Sequence, residues 1–390
     1  MQPVTPMMGA FGAVAMLVLT AGVFCWLLTA LRCAVGWRLL PPGSMPAALD
    51  VLKALNASPA PPLIDWRARR PVPWGVLDLV AILVIFALLA IGIGVSVRQW
   101  TGLTAGTEME SLTLGQRQWL TIANMAVSLL TLAICLPLML LRPATRWRDF
   151  GWSWTTLGRD VRLGLVGFVM LAPPVYAIQG ILVYFWKPSA HPLMEMFKGT
   201  PNAAFFATLI AAAVIVAPLV EEMLFRVFLQ GFLEKVSSVV QGWLKNSDRF
   251  GEELHELLVV RFWRPDTASP TAIFAEPIVA QLAATSPDSN PIAQRLGTTE
   301  AALEAIVSDD QPELRGLWAW IPIGISSIIF ALLHYSHGPD WVPLTLLAAG
   351  MGYLYQRTHS VIPSLTVHMC LNGLSMWGLW IQVYELPVAK

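Results

Sequence analysis

Residues 203–226 read AAFFATLIAAAVIVAPLVEEMLFR. The first 18 of them, Ala203–Val220, carry no charge, and a helix needs roughly 20 mostly apolar residues to cross a bilayer. Glu221, Glu222 and Arg226 then follow without a break, and the helical pattern runs on to about Leu233. Ionisable groups on an apolar helix are costly in hydrocarbon, so they are expected to face a protein interior or a wet cavity. This stretch therefore points to an integral membrane protein with a polar site between its helices.

The rest of the chain agrees. Working outward, apolar segments of spanning character occur at Met8–Leu31, Leu79–Val97, Trp119–Leu141, Leu163–Trp186, Gly316–Leu333, Trp341–Gln356 and Ser360–Tyr384. The expected fold is all-α, a polytopic membrane protein of about eight transmembrane helices with a polar extramembrane cap. Pro173 and Pro174 are expected to kink the fourth segment. The first segment lacks a basic flank before it, since the first charge is Arg32, and reads as a retained helix rather than a cleaved signal.

Composition supports the same class. Of 390 residues, 56% are hydrophobic and only 13% charged, about half the charge of an ordinary soluble domain. Lys+Arg and Asp+Glu balance at 25 each, which argues against a nucleic-acid partner that would need a basic surface. The charges concentrate in one block. Residues 234–317 hold 13 acidic and 7 basic side chains. We divide the chain into N-terminal helices and basic loops (1–162), core helices with a first polar motif (163–233), a polar cap insertion (234–315) and core helices with two further motifs (316–390). Within the insertion, Glu252–Arg261 and Thr298–Val307 read as surface helices, and a short helix is expected near Ala47–Ala57. Loops 32–73 and 142–162 carry six and five basic residues, so both are expected on the cytoplasmic side. Cys25, Cys33, Cys135 and Cys370 form no CxxC pair and read as small apolar residues.

Three polar motifs stand on the apolar segments. LVEEMLFR supplies Glu221, Glu222, Phe225 and Arg226; IIFALLHYSHGPD supplies Phe330, His334, His337 and Asp340; VHMCLNG supplies His368 and Asn372. Glu222 and Arg226, Phe330 and His334, and His368 and Asn372 are each four residues apart, so each pair shares a helix face. Glu221 is rotated about 100° from Glu222 and need not share its task. Structural roles fit some of these residues: an ion pair for Glu222–Arg226, a helix C-terminal position for His334, interhelical hydrogen bonds for His368 and Asn372. His191, His255 and His359 carry no assigned chemistry.

Together the set suits hydrolysis. A carboxylate beside an imidazole can orient a water and take its proton, while a second imidazole and an amide can donate to a developing oxyanion. Glu221, His334 and His368 could also supply three protein ligands to a catalytic Zn2+, with His337 as a further candidate. No HExxH is present. Metal-bound water and water activated by side chains alone both remain open. No GxSxG elbow supports a serine nucleophile.

EExxFR, FxxxH and HxxxN, in that order on apolar helices, resemble the motifs of the CAAX-protease and bacteriocin-processing family of intramembrane endopeptidases, whose eukaryotic members include the type II CAAX prenyl proteases. The resemblance covers roughly residues 160–385 without the cap. It implies that Glu221 activates water, that Glu222 supports it and that Arg226 closes the motif. It further implies that His334 shares the water and that His368 and Asn372 stabilise the oxyanion. It implies a membrane-associated or lipidated peptide or protein substrate, and some members are described as metalloproteases. A prokaryotic inner or plasma membrane is the expected location. A secondary transporter and a non-catalytic adaptor or immunity protein are the alternative readings of the same polar residues. One tension stands: counted at 1.5 Å per residue from their helix starts, Glu221 and His334 fall at opposite depths.

Overall fold

The computed structural model describes residues 5–38, 64–104, 111–142, 145–185, 202–245, 313–314, 316–335 and 338–385. Among the described residues the regular structure is all helical, with no strand. The helices are α1 (Pro6–Arg38), α2 (Val76–Thr101), α3 (Leu114–Leu140), α4 (Leu157–Phe185), a segmented rod α5, then α6 (Leu317–Leu332), α7 (Trp341–Thr358) and α8 (Val361–Trp380, extended by a π turn Ile381–Glu385). The rod α5 runs without interruption through Ala203–Ile210, Ala211–Val216, Ala217–Glu222, Met223–Gln230 and Gly231–Lys245, the second and fourth pieces being π-helical. Each of the eight expected segments coincides with one of these helices. The surface helices expected in the insertion, the helix expected near Ala47–Ala57, and His337, His191 and His255 lie outside the described residues.

Five helices are long and apolar enough to cross a membrane: α1 to α4 and the Ala203–Gln241 stretch of α5. The other three differ from the expectation for a physical reason. α6 has 16 residues, short of a full span. α7 and α8 carry buried polar side chains, among them Gln356, Arg357, Ser364 and His368, so inner position rather than hydropathy identifies them. α5, α6, α7 and α8 form the inner group, with α4 packed across α7 and α8. α1 and α2 expose rows of large apolar residues, such as Leu17, Phe24 and Leu27 on α1 and Leu83, Leu88 and Ile91 on α2, as lipid-facing helices do.

α4 stays helical through Pro173 and Pro174 instead of breaking. Pro174 has no N–H to give to the carbonyl four residues back, which is Met170. Trp26 on α1 supplies that hydrogen bond, Nε1 to the Met170 oxygen at 2.9 Å. Gly22 makes the approach feasible, because a Cβ there would lie 2.4 Å from the Val169 oxygen and 2.6 Å from Pro173 Cγ. The proline pair is thus accommodated by a neighbouring helix, as irregular backbone in a membrane has to be.

An extended strap, residues 64–75, lies ahead of α2 and ties the ends of the inner helices together. Arg67 pairs with Asp160 at 2.6 Å, Arg69 with Glu234 at 2.6 Å and Arg70 with Asp149 at 2.7 Å. Trp74 donates from Nε1 to the Phe228 oxygen at 3.1 Å. His359 closes α7 with φ 48°, in the left-handed region, and its Nδ1 donates to the Arg67 oxygen at 2.6 Å. His359 is therefore a fixed structural residue rather than an idle loop histidine. Burial first, and then the Arg69 charge, push its imidazole down to about 4.

Candidate active site

A polar stripe on α5 underlies the site. Glu222, Arg226, Gln230 and Glu234 recur every fourth residue and all are fully buried. Such a run is affordable only if its members satisfy one another. Arg226 Nε donates to Glu222 Oε2 at 3.2 Å, and Gln230 Nε2 donates to Glu234 Oε1 at 3.0 Å and to the Gly352 oxygen at 2.8 Å. Gly352 is what admits α7 so closely, since a Cβ would stand 2.9 Å from Gln230 Oε1. The sequence reading took the first two members of this stripe and passed over Gln230 and Glu234.

α6 runs antiparallel to α5. Ser326 Oγ donates to the Phe225 oxygen at 2.9 Å and Arg226 reaches Ser326 Oγ at 3.4 Å. Phe225 and Phe330 meet edge to face at 5.2 Å between centroids, and the Arg226 guanidinium lies 5.7 Å from the Phe330 ring centre. Ser326, Phe330 and His334 thus form a second fourfold stripe, whose serine the sequence reading did not single out. This antiparallel register removes the depth conflict. The water-side end of α5 is not near Leu233, because the helix continues to Lys245. Counted back along α5 and forward along α6, Glu221 and His334 reach one level.

His368 on α8 stands between the two glutamates. Its Nδ1 lies 3.0 Å from Glu222 Oε1 and its Nε2 lies 3.6 Å from Glu221 Oε2. The rotation between Glu221 and Glu222 is what lets adjacent residues address opposite nitrogens of one imidazole. Their environments differ: the Glu222 side chain is 0% exposed and that of Glu221 is 27% exposed. The Phe330 ring packs against both histidines, at 4.9 Å from His334 and 6.0 Å from His368. His334 Nδ1 donates to the Phe330 oxygen at 2.9 Å, which leaves Nε2 as its outward ring nitrogen.

Asn372 has a backbone task. In the π-helical piece of α5 the Ala217 N–H reaches back five residues to the Ala212 oxygen. The next residue, Pro218, has no N–H, so the Ala213 oxygen loses its partner. Asn372 Nδ2 donates to that oxygen at 2.8 Å. One amide hydrogen of Asn372 is thereby used.

Among the described residues no group of three His, Cys, Asp or Glu side chains is placed to hold one metal ion. The two outward imidazole nitrogens are suitable donors and their Nδ1 atoms are anchored as metal-binding histidines usually are.

A family model described as "Type II CAAX prenyl endopeptidase Rce1-like" matches residues 256–374. Over that stretch the chain is similar to this family of CAAX-type endopeptidases. The matched stretch contains His334, His368 and Asn372, the second and third motifs, and stops short of Glu221 and Glu222 on α5. No curated protein and no solved structure matches the chain significantly.

Proposed function

We propose that the protein is a membrane-embedded endopeptidase that hydrolyses a peptide bond in a membrane-associated or lipidated substrate, with Glu221 as the base. One observation carries this reading: a partly exposed Glu221 carboxylate 3.6 Å from the Nε2 of a buried histidine whose other nitrogen is held by Glu222. That separation is too long for a good hydrogen bond, yet a water about 2.8 Å from each atom fits at the apex of the triangle they define.

Glu221 takes a proton from that water while His368 Nε2 and His334 Nε2 orient it. The water oxygen bonds to the carbonyl carbon and the carbonyl electrons move to oxygen. The second Nδ2 hydrogen of Asn372 is the amide donor for that oxyanion. Collapse breaks the C–N bond, and the Glu221 carboxyl returns its proton to the leaving amine. Arg226 touches none of the reacting atoms; it neutralises Glu222 and so fixes the His368 ring.

The test is turnover of a fluorogenic lipidated peptide by the full chain in nanodiscs. Glu221→Gln, His334→Ala and His368→Ala are each expected to reduce cleavage at least about 100-fold, the lower end of what a general base contributes, while the protein remains folded. Wild-type turnover in all three would sink the assignment.

A further inference from the structure

The described residues hold a second polar constellation that the peptidase chemistry does not use. A cavity of about 310 Å³ opens where the strap, the turn between α3 and α4, and the α7–α8 turn meet. That is about ten times one water's share of liquid volume. Five arginines line it, Arg67, Arg69, Arg70, Arg146 and Arg148, with Asp149 as the one lining carboxylate. Asp160, Glu234 and Asp149 neutralise the first three. Arg146 and Arg148 are exposed and have no ion-pair partner among the described residues. Hydroxyls of Ser153 and Thr156 lie on the same wall. The cavity is also built rather than incidental. Gly151, at φ 76°, lets the α3–α4 turn press onto the α7–α8 turn, where a Cβ would meet the Val361 nitrogen at 2.9 Å, and Val361 N–H donates to the Gly151 oxygen at 3.1 Å. Arg69 Nε is buried there without a hydrogen-bond partner.

Its location selects the ligand. The lining segments sit at the ends of three membrane-crossing helices: α2 begins at Val76, α3 ends at Leu140 and α4 begins at Leu157. Trp147 and Trp154 beside it are 46% and 78% exposed, and exposed tryptophans mark the bilayer–water boundary. A net-positive cavity at that level faces lipid headgroups.

We propose that this cavity is a binding site for the phosphate group of an anionic membrane phospholipid, with Arg146 and Arg148 as its free cationic contacts and Ser153 as a hydroxyl donor. A headgroup such as phosphatidylglycerol, which carries a phosphodiester and no amine, matches the wall. Phosphatidylcholine would bring its trimethylammonium against the arginines. The site is remote from Glu221: Glu234, which grips the strap, lies 13 residues further along α5, about 20 Å at 1.5 Å per residue.

Native mass spectrometry of the full-length, delipidated protein, titrated separately with phosphatidylglycerol, phosphatidylcholine and inorganic phosphate, tests this. We expect phosphatidylglycerol to be retained over phosphatidylcholine, and R146Q/R148Q to weaken phosphatidylglycerol retention about thirtyfold, from the value of an arginine beside a lipid surface. R146K/R148K, which keeps the charge, is expected to retain it. As a control independent of variant folding, 0.5 M salt is expected to reduce retention by wild type through screening. Equal retention of the two lipids, or retention by R146Q/R148Q equal to wild type, overturns the site. Retention of inorganic phosphate with no preference for phosphatidylglycerol overturns the lipid assignment.

Discussion

At the scale of single residues, adjacent glutamates have opposite surroundings, and substitution should separate them. Glu222 is sealed with Arg226 against it, so Glu222→Gln strands a buried guanidinium. Loss of one partner of a buried pair costs about 3–5 kcal/mol, and the thermal unfolding midpoint in detergent should fall accordingly. Glu221 has a partly exposed side chain, so Glu221→Gln should leave that midpoint near wild type while cleavage is lost. The same scale bears on the metal. With water activated by side chains alone, prolonged dialysis against a zinc chelator should leave turnover of the lipidated peptide unchanged. A loss restored by added Zn2+ would require a different mechanism.

At the scale of elements, Pro218 and Asn372 are coupled through the Ala213 carbonyl. Asn372→Ala leaves that carbonyl unpaired in the helix interior, a loss of about 1–3 kcal/mol. Pro218→Ala restores a backbone N–H to α5, so the double variant Pro218→Ala/Asn372→Ala should recover most of the midpoint. If Asn372 also stabilises the oxyanion, that double variant regains stability but not turnover. Equal recovery of both would reduce the asparagine to a helix-stabilising group. Elements also mark the limit of legibility in the chain. The outer helices announce themselves by apolar runs, and the three motifs were visible because charge and imidazole are rare there. What stayed hidden depends on contacts between distant segments. The bond from Asn372 to the Ala213 carbonyl was not legible, because nothing in VHMCLNG reveals a carbonyl orphaned by a proline about 150 residues earlier. Glu234 falls just past the helix end expected near Leu233, and Gln230 carries no charge to mark it in an apolar run, so the fourfold continuation of Glu222 and Arg226 is not evident from the sequence.

At the scale of the molecule, the strap holds the inner helices by side chains that must keep their protonation states. His359 is neutral at pH 7, with its imidazole pushed down to about 4 by burial and by Arg69, against about 6.5 in an unfolded chain. Between these values the unfolded chain binds the extra proton, so folding stability is fully present above about 6.5 and declines as pH falls toward 4. Unfolding midpoints measured across that range should drop for wild type, and His359→Gln should flatten part of the slope. A slope unchanged by the substitution would place the acid sensitivity elsewhere.

The long rod has a consequence for engineering. Ser326 lies beside Arg226 with the helices antiparallel, so the start of α6 at Leu317 is level with about residue 235. Lys245, where α5 ends, lies ten residues beyond that level, about 15 Å at the helical rise. Both helix ends therefore lie on one side of the inner group. A graft of six to eight Gly/Ser residues, at up to about 3.3 Å each, is long enough to bridge that gap. Excising residues 248–311 in this way should leave a shortened protein that inserts, folds and keeps whatever turnover the full chain shows, making the helical core portable.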